Sequence, residues 1–220
     1  MTIEPRTSRR GNSVLRCARC RLHAGLCVCE LLPRIETRTR LVLVMHRDER
    51  RKTTNTGQLA AACLARSEVL VHGQLDAPLD PLVWPPTTRP LYLFPHEDAL
   101  PLTSFLDDGP PVTLVVPDGT WRQASKVRKR VAGVADIPCV SLPPGPPSRY
   151  RLREEHLDHG LSTLEAIARA LGLLEGEAVQ HALENVFAMM VERSLWARGT
   201  LATDEVTGGV PAAARYRGRG

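Results

Sequence analysis

The chain has 220 residues and 24.2 kDa, with 29 Lys+Arg against 24 Asp+Glu, a formal charge of +5 and a pI near 9.1. At 43% hydrophobic and 24% charged it has the make-up of an ordinary globular domain, which excludes collagen-like, coiled-coil and disordered chains. The longest apolar runs, 41–45 and 112–116, fall far short of the roughly 20 residues a spanning helix needs, and the polar, basic stretch 1–13 has no apolar h-region behind it. A cytoplasmic protein with no membrane partner is expected.

Only Lys52, Lys126 and Lys129 are lysine, an arginine skew of the kind a GC-rich genome produces, so clustering of cations says more than their total. Three clusters stand out: Arg47, Arg50, Arg51 and Lys52; Arg122, Lys126, Arg128, Lys129 and Arg130; and Arg149, Arg151 and Arg153. A solvated face explains any one of them. All three, however, follow apolar strand-like runs, and that shared position favours a nucleic-acid partner.

In chain order, 1–16 reads as a flexible basic arm and 17–36 as a compact Cys-rich knob. A catalytic domain over 37–198 and a disordered basic tail over 199–220 follow. Residues 41–45 (LVLVM) are continuously apolar, which predicts a central strand buried on both faces of a parallel sheet. The Ala- and Leu-rich stretch 57–66 predicts a helix and 68–71 a strand. Five prolines in 76–90 mark a surface loop. Strands are expected at 91–94, 112–116 and 137–142, with a helix over 120–131. The stiff PPGPP loop at 143–147 comes next. Ser162-Thr163-Leu164-Glu165 is a capping box opening a helix to about Leu171. A second helix over 177–196 places Val179, Leu183, Val186 and Met190 on one apolar face, read as core. Alternating strands and helices give an α/β fold with a parallel sheet and helices on both faces.

Cys17, Cys20, Cys27 and Cys29 put four thiols into thirteen positions, with Gly25 available for a turn between the pairs. Thiolates around a tetrahedral zinc ion lie about 3.7 Å apart, within reach of such short loops, and four of them close the shell against catalysis. Two disulfides are the rival reading, disfavoured in a chain without a signal peptide. His23 is either a substitute ligand or an exposed turn residue. Cys63 and Cys139 read as small buried hydrophobes.

Ligands of an open parallel sheet bind beyond the carboxyl ends of its strands. The first such end carries His46, Arg47, Glu49, Lys52, Asn55 and Thr56, and the third carries Pro95 and His96. The fourth carries Asp118-Gly119-Thr120-Trp121 and the fifth runs from Pro143 to Arg153. Thr120 and Gln123 form a capping box, which frees the Asp118 carboxylate for other work. Trp121, beside Arg122, Lys126 and Lys129, is either core or a platform for a nucleobase. No G-x-G-x-x-G follows a strand, and the P-loop, serine-elbow and H-E-x-x-H motifs are missing.

Asp118-Gly119-Thr120-Trp121 resembles the D-x-T-W signature of the DTW-domain family of tRNA-uridine aminocarboxypropyltransferases, in the SPOUT-like superfamily. The Cys cluster and the block from His46 through Gly57 resemble further blocks of that family. So do 117–126 (PDGTWRQASK), 148–154 (SRYRLRE) and 161–168 (LSTLEAIA), all in family order and together covering roughly 16–196. The resemblance implies a SPOUT-like fold with a C-terminal knot. It implies transfer of the 3-amino-3-carboxypropyl group of S-adenosylmethionine to N3 of a tRNA uridine, with release of 5′-methylthioadenosine.

In that setting Asp118 is the expected base, with Thr120 and Trp121 beside it in the catalytic turn. Leu93, Phe94, Pro95, Gly119, Ser141, Leu142, Pro143, Ser148, Tyr150, Arg151 and Arg153 would line the donor pocket. For the two arginines, clamping an anion and plain surface charge are equally matched. Arg47, Lys52, Lys126 and Lys129 would meet tRNA phosphates, and Asn55 and Thr56 complete the substrate side. His46 and Glu49 either orient the uridine or brace their loop. tRNA is the expected partner and DNA is not; a monomer is favoured. Two alternatives stay open, a SPOUT-type RNA methyltransferase and a non-catalytic zinc-containing RNA-binding protein.

Overall fold

The computed structural model describes residues 3–4, 15–53, 55–74, 76–152, 160–212 and 214. Most of the expected arm, Thr54, Arg153 and the tail cations Arg215, Arg217 and Arg219 lie outside the described residues. A short antiparallel ribbon of β1 (Ile3–Glu4) and β2 (Arg16–Cys17) precedes the knob. The domain then runs β3 (Arg40–His46), α1 (Gly57–Cys63), β4 (Ser67–His72), β5 (Arg89–Leu93), β6 (Leu100–Pro101) and β7 (Val112–Asp118). It continues with α2 (Trp121–Ala124), α3 (Val127–Arg130), β8 (Cys139–Ser141), α4 (Thr163–Glu175) and α5 (Glu177–Ala197). Among the described residues no helix is long and apolar enough to cross a membrane.

Six strands form one sheet in the order β4-β3-β7-β5-β8-β6, and every pairing is parallel. The side chains divide by strand alternation. Leu41, Leu43, Leu91, Leu93, Val112, Leu114 and Val116 pack against α1, α4, α5 and the Cys knob. Val42, Val44, Tyr92 and Val115 pack on the opposite face against Val127, Val131, Val134 and Ile137. There the 76–90 loop replaces a long helix as cover, with Leu79, Leu82 and Trp84 resting on the cluster. Helices thus flank both faces, unequally.

Four sequence expectations need correction. The stretch expected to begin a disordered tail at 199 is ordered in its first part, where Thr203–Glu205 forms a 3-10 turn and Thr207, Gly208 and Gly209 bond to Glu192 and Arg193. β3 is second from the edge, and β7 and β5 hold the middle. Its apolar run reports burial on both faces, which an interior strand beside an edge also has. The helix expected over 120–131 is two single turns. Ser125 ends the first, its hydroxyl bonding back to the Arg122 carbonyl at 3.3 Å. The strand expected over 137–142 shrinks to Cys139–Ser141, because Pro138 has no N–H for the ladder and offers only its carbonyl, to Tyr92 N at 2.8 Å. β6 has no signal in the sequence and pairs with β8 over two residues.

Candidate active site

The ends of β3, β5, β7 and β8 open onto one cleft with two lobes. The smaller, about 270 Å³, is lined by Asp118, Glu49, Asn55, Thr56, Tyr150 and Thr163 among others. The larger, about 610 Å³, is walled by the Ser141–Ser148 segment and Arg169. Leu93, Pro95, Trp121, Leu161 and Ala166 belong to both, so the lobes adjoin.

Asp118 is the last residue of β7. Val112, Leu114 and Val116 face α1, α4 and α5, and the same parity carries Asp118 to that side. The carboxylate is 5% exposed and both oxygens accept hydrogen bonds, Oδ2 from Asn55 Nδ2 at 2.5 Å and Oδ1 from the Thr163 hydroxyl at 2.7 Å. Asn55 is itself fixed, its Oδ1 accepting from Gln58 N at 2.7 Å. Gly57 is required by the close approach: a Cβ there would sit 3.0 Å from Asp118 Cγ and Oδ1 and from Thr163 Cγ2. Three segments distant in sequence thus hold one carboxylate in one orientation at the cavity wall.

Thr120 caps α2, accepting from Gln123 N at 3.3 Å while Gln123 Oε1 accepts from Thr120 N at 2.9 Å. The Gln123 amide also meets His46 Nδ1 at 3.0 Å and donates to Asp48 Oδ2 at 3.3 Å. The register pairs Met45 with Asp118, so His46, one residue on, points to the opposite face, ring to ring with His72 at 5.2 Å. His46 therefore ties the first strand end to the Asp-Gly-Thr-Trp turn from behind, outside the cavity lining. His72 is 5% exposed; burial, then the nearby His46 and Arg130 charges, lower its pKa to about 4, so it is neutral.

Trp121 is 39% exposed and its ring stands 5.7 Å from Phe94 at the junction of the lobes. Tyr150 is buried against Phe187 at 5.6 Å, with an edge in the smaller lobe. Glu49 is buried, lines that lobe and pairs with Lys52, whose ammonium lies outside the lining. Arg47, Lys126, Lys129 and Arg151 also lie outside both lobes.

Four contributors carry roles that reading the sequence did not assign. Gly57 and Thr163 shape the seat of Asp118. Arg169 is the charged side chain of the larger lobe among the described residues, anchored to the Pro146 carbonyl at 2.6 Å. Glu165 completes the expected capping box, accepting from Ser162 N at 2.9 Å, but also accepts from the Ser148 hydroxyl and from Arg149 N, each at 2.7 Å. It thereby pins the loop after β8 to α4. All but Arg169 and Gly57 lie in the 161–168 block, whose local pattern speaks only for a helix start.

In the knob, Cys17 and Cys29 Sγ are 3.6 Å apart, Cys20 and Cys27 Sγ 3.7 Å, and all four lie within 4.8 Å of one another. These spacings are too long for disulfide bonds and fit ligands about 2.3 Å from a tetrahedral ion. The tight turn falls at Arg21, at φ 62, and Gly25 lies in a 3-10 turn. His23 Nδ1 accepts from Gly25 N at 3.2 Å and stands outside the thiol cluster. Burial opposes ionisation of Cys17, but hydrogen bonds from the backbone of Cys20 and Arg19 and from the Cys27 and Cys29 side chains together bring the thiol to about 7; burial raises Cys20 to about 11. Cys63 and Cys139 are buried as small hydrophobes.

Residues 14–195, which contain the strand-end carboxylate, the capped Thr-Trp turn and the thiol cluster, match the family model of the DTW domain. The chain belongs to the DTW-domain family. Within it, tRNA-uridine aminocarboxypropyltransferase 2 of Macaca fascicularis is 31% identical over 167 residues, 72% of this chain and 56% of the relative. The Drosophila melanogaster protein of the same name is 27% identical over 173 residues, 73% of this chain and 66% of the relative. tRNA-uridine aminocarboxypropyltransferase A of Arabidopsis thaliana is 29% identical over 217 residues, 80% of this chain and 79% of the relative. The chain spans little more than half the length of the macaque relative. No solved structure matches this DTW chain.

Proposed function

We propose that this DTW domain is a tRNA-uridine aminocarboxypropyltransferase. It would move the 3-amino-3-carboxypropyl group of S-adenosylmethionine to N3 of a tRNA uridine and release 5′-methylthioadenosine. The observation that carries this reading is the seat of Asp118, a carboxylate fixed by Asn55 and Thr163 at the wall of a cleft large enough for a nucleoside. Its similarity to tRNA-uridine aminocarboxypropyltransferases of animals and a plant supports it.

The chemistry needs a base for the uridine N3 proton and a donor carbon held in line. As N3 attacks the propyl carbon next to sulfur, the N–C bond forms and the C–S bond breaks. The electron pair stays on sulfur, which leaves as a neutral thioether, and the N3 proton passes to Asp118. The same sulfonium carries a methyl carbon, so product choice is geometric: only the carbon aligned with N3 reacts quickly. In our reading the larger, apolar lobe takes the nucleoside part of the donor, the uridine enters the smaller lobe beside Asp118, and Trp121 at their junction stacks on a base. Arg169 is the candidate partner for a donor anion, and Arg47, Lys126 and Lys129 line the approach for tRNA phosphates.

Cys17, Cys20, Cys27 and Cys29 would hold a structural zinc ion, which closes the knob and takes no part in transfer. The SPOUT-like knot, a cytoplasmic location and a monomeric state belong to the same reading. The test is to incubate the purified chain with S-adenosylmethionine and unmodified tRNA and identify the small-molecule product by mass spectrometry. Methylthioadenosine is expected. S-adenosylhomocysteine would make the chain an RNA methyltransferase, and neither product would leave a binding protein.

A further inference from the structure

Arg193 lies on α5 and is 3% exposed. Among the described residues its guanidinium donates four hydrogen bonds, all to carbonyl oxygens. Nε donates to Gly209 O at 3.0 Å, Nη2 to Gly208 O at 3.2 Å, and Nη1 to Cys27 O at 2.7 Å and Leu26 O at 3.5 Å. Among the described residues none of its acceptors is a carboxylate. Gly208 and Gly209 sit at φ 69 and 67, a backbone shape that turns both carbonyls towards the arginine and that other residues rarely adopt.

A buried guanidinium satisfied only by neutral dipoles is an expense that folds rarely carry. Desolvating the ion costs several kcal/mol, which an opposite charge nearby normally offsets. The groups able to supply that charge are the thiols. Cys27, whose carbonyl accepts from Nη1, belongs to the thiol cluster, so the cluster adjoins the guanidinium. Four protonated thiols cannot balance a cation. Four thiolates around Zn²⁺ carry a net double negative charge and can.

We infer that Arg193 is the buried counter-cation of a zinc–tetrathiolate centre, holding the metal-loaded knob and the 208–209 segment together against α5. The inference rests on the zinc reading of the knob and is independent of the transferase reading. Such outer-sphere partners change metal affinity by roughly 10- to 100-fold when removed. Charge compensation also makes a statement that packing does not. Arg193→Met leaves four carbonyls without their donor in either form, but only the zinc-loaded protein also loses charge compensation, so the substitution costs more stability with metal than without.

The test uses the full chain, expressed with zinc, as wild type, Arg193→Met, Arg193→Lys and Leu183→Ala. The last opens a cavity elsewhere on α5, where Leu183 is fully buried, and controls for general loss of stability. Zinc content is measured by mass spectrometry and zinc release by competition with a chromogenic chelator, and melting is followed with and without metal. One zinc per wild-type chain is expected, with release 10- to 100-fold easier in Arg193→Met, less so in Arg193→Lys, and unchanged in Leu183→Ala. Arg193→Met should lower the melting temperature of the zinc form by more than that of the metal-free form. The inference is overturned if Leu183→Ala releases zinc as readily as Arg193→Met, or if Arg193→Met costs the same stability with and without metal. A wild-type chain that binds no zinc would overturn the zinc reading and this inference with it.

Discussion

The Cys knob and the strand-end cleft are built on opposite plans. The knob draws its four thiols from thirteen consecutive positions, and their sulfurs lie within 4.8 Å of one another. The cleft draws one carboxylate's surroundings from Asn55, Gly57 and Thr163, residues up to 63 positions from Asp118 in the chain. A local site can be read from spacing because few conformations satisfy it. A distributed site depends on strand parity and register, which no short window contains.

Four substitutions separate the two plans, in falling order of effect. Cys20→Ser removes a ligand the knob cannot replace, so stoichiometric zinc should disappear and the segment over 15–36 should become the first site of limited proteolysis. Methylthioadenosine binding should persist, and its loss in step with the metal would show that knob and cleft are one unit. Gly57→Ala should leave zinc untouched while pushing on the Asp118 carboxylate. A displacement of that kind lowers the transfer rate roughly 10- to 100-fold, with a smaller change in donor affinity, measured by single-turnover kinetics and titration calorimetry.

The back of the cleft predicts a pH effect. His72 is neutral in the folded chain with its pKa lowered to about 4 from an ordinary 6.5, so the unfolded chain binds a proton that the folded one refuses between those values. Its contribution is present above the ordinary value and is lost as pH falls through that window, since the unfolded state then binds more protons. Urea melts at pH 7 and pH 5 should show wild-type stability falling more steeply than that of His72→Gln. Equal slopes would mean that the burial of His72 costs nothing. Smallest is Lys126→Ala, outside the cleft lining. It should weaken tRNA binding uniformly across tRNAs and reduce the slope of log affinity against log salt by about one, leaving the donor's affinity unchanged.

Much of the scaffold is legible in the sequence for stated reasons. Continuous apolar runs announced the interior strands β3 and β7, and both capping boxes, Thr120 with Gln123 and Ser162 with Glu165, are present with both halves formed. What is hidden is the second use of the same side chains. Gln123 spends its carbonyl on the cap and its amide on His46, and Glu165 caps α4 while gripping Ser148 and Arg149. A capping motif looks complete without its tertiary partner, so nothing local prompts a search for one. His46 is the converse: its place beside Arg47 and Glu49 suggests the cleft, yet register turns it to the other face.

The central claim is that Asp118 takes the uridine N3 proton, and Asp118→Asn tests it most directly. The amide keeps the shape of the side chain and can still accept from Asn55 or Thr163, but cannot act as the base. The measurement is the single-turnover rate of uridine modification with saturating S-adenosylmethionine and tRNA, alongside donor binding by calorimetry. The account predicts a rate lower by about 10²- to 10⁴-fold with donor affinity close to wild type. A wild-type rate in Asp118→Asn would contradict it, and would mean that the fixed carboxylate at the end of β7 braces the cleft without serving the chemistry.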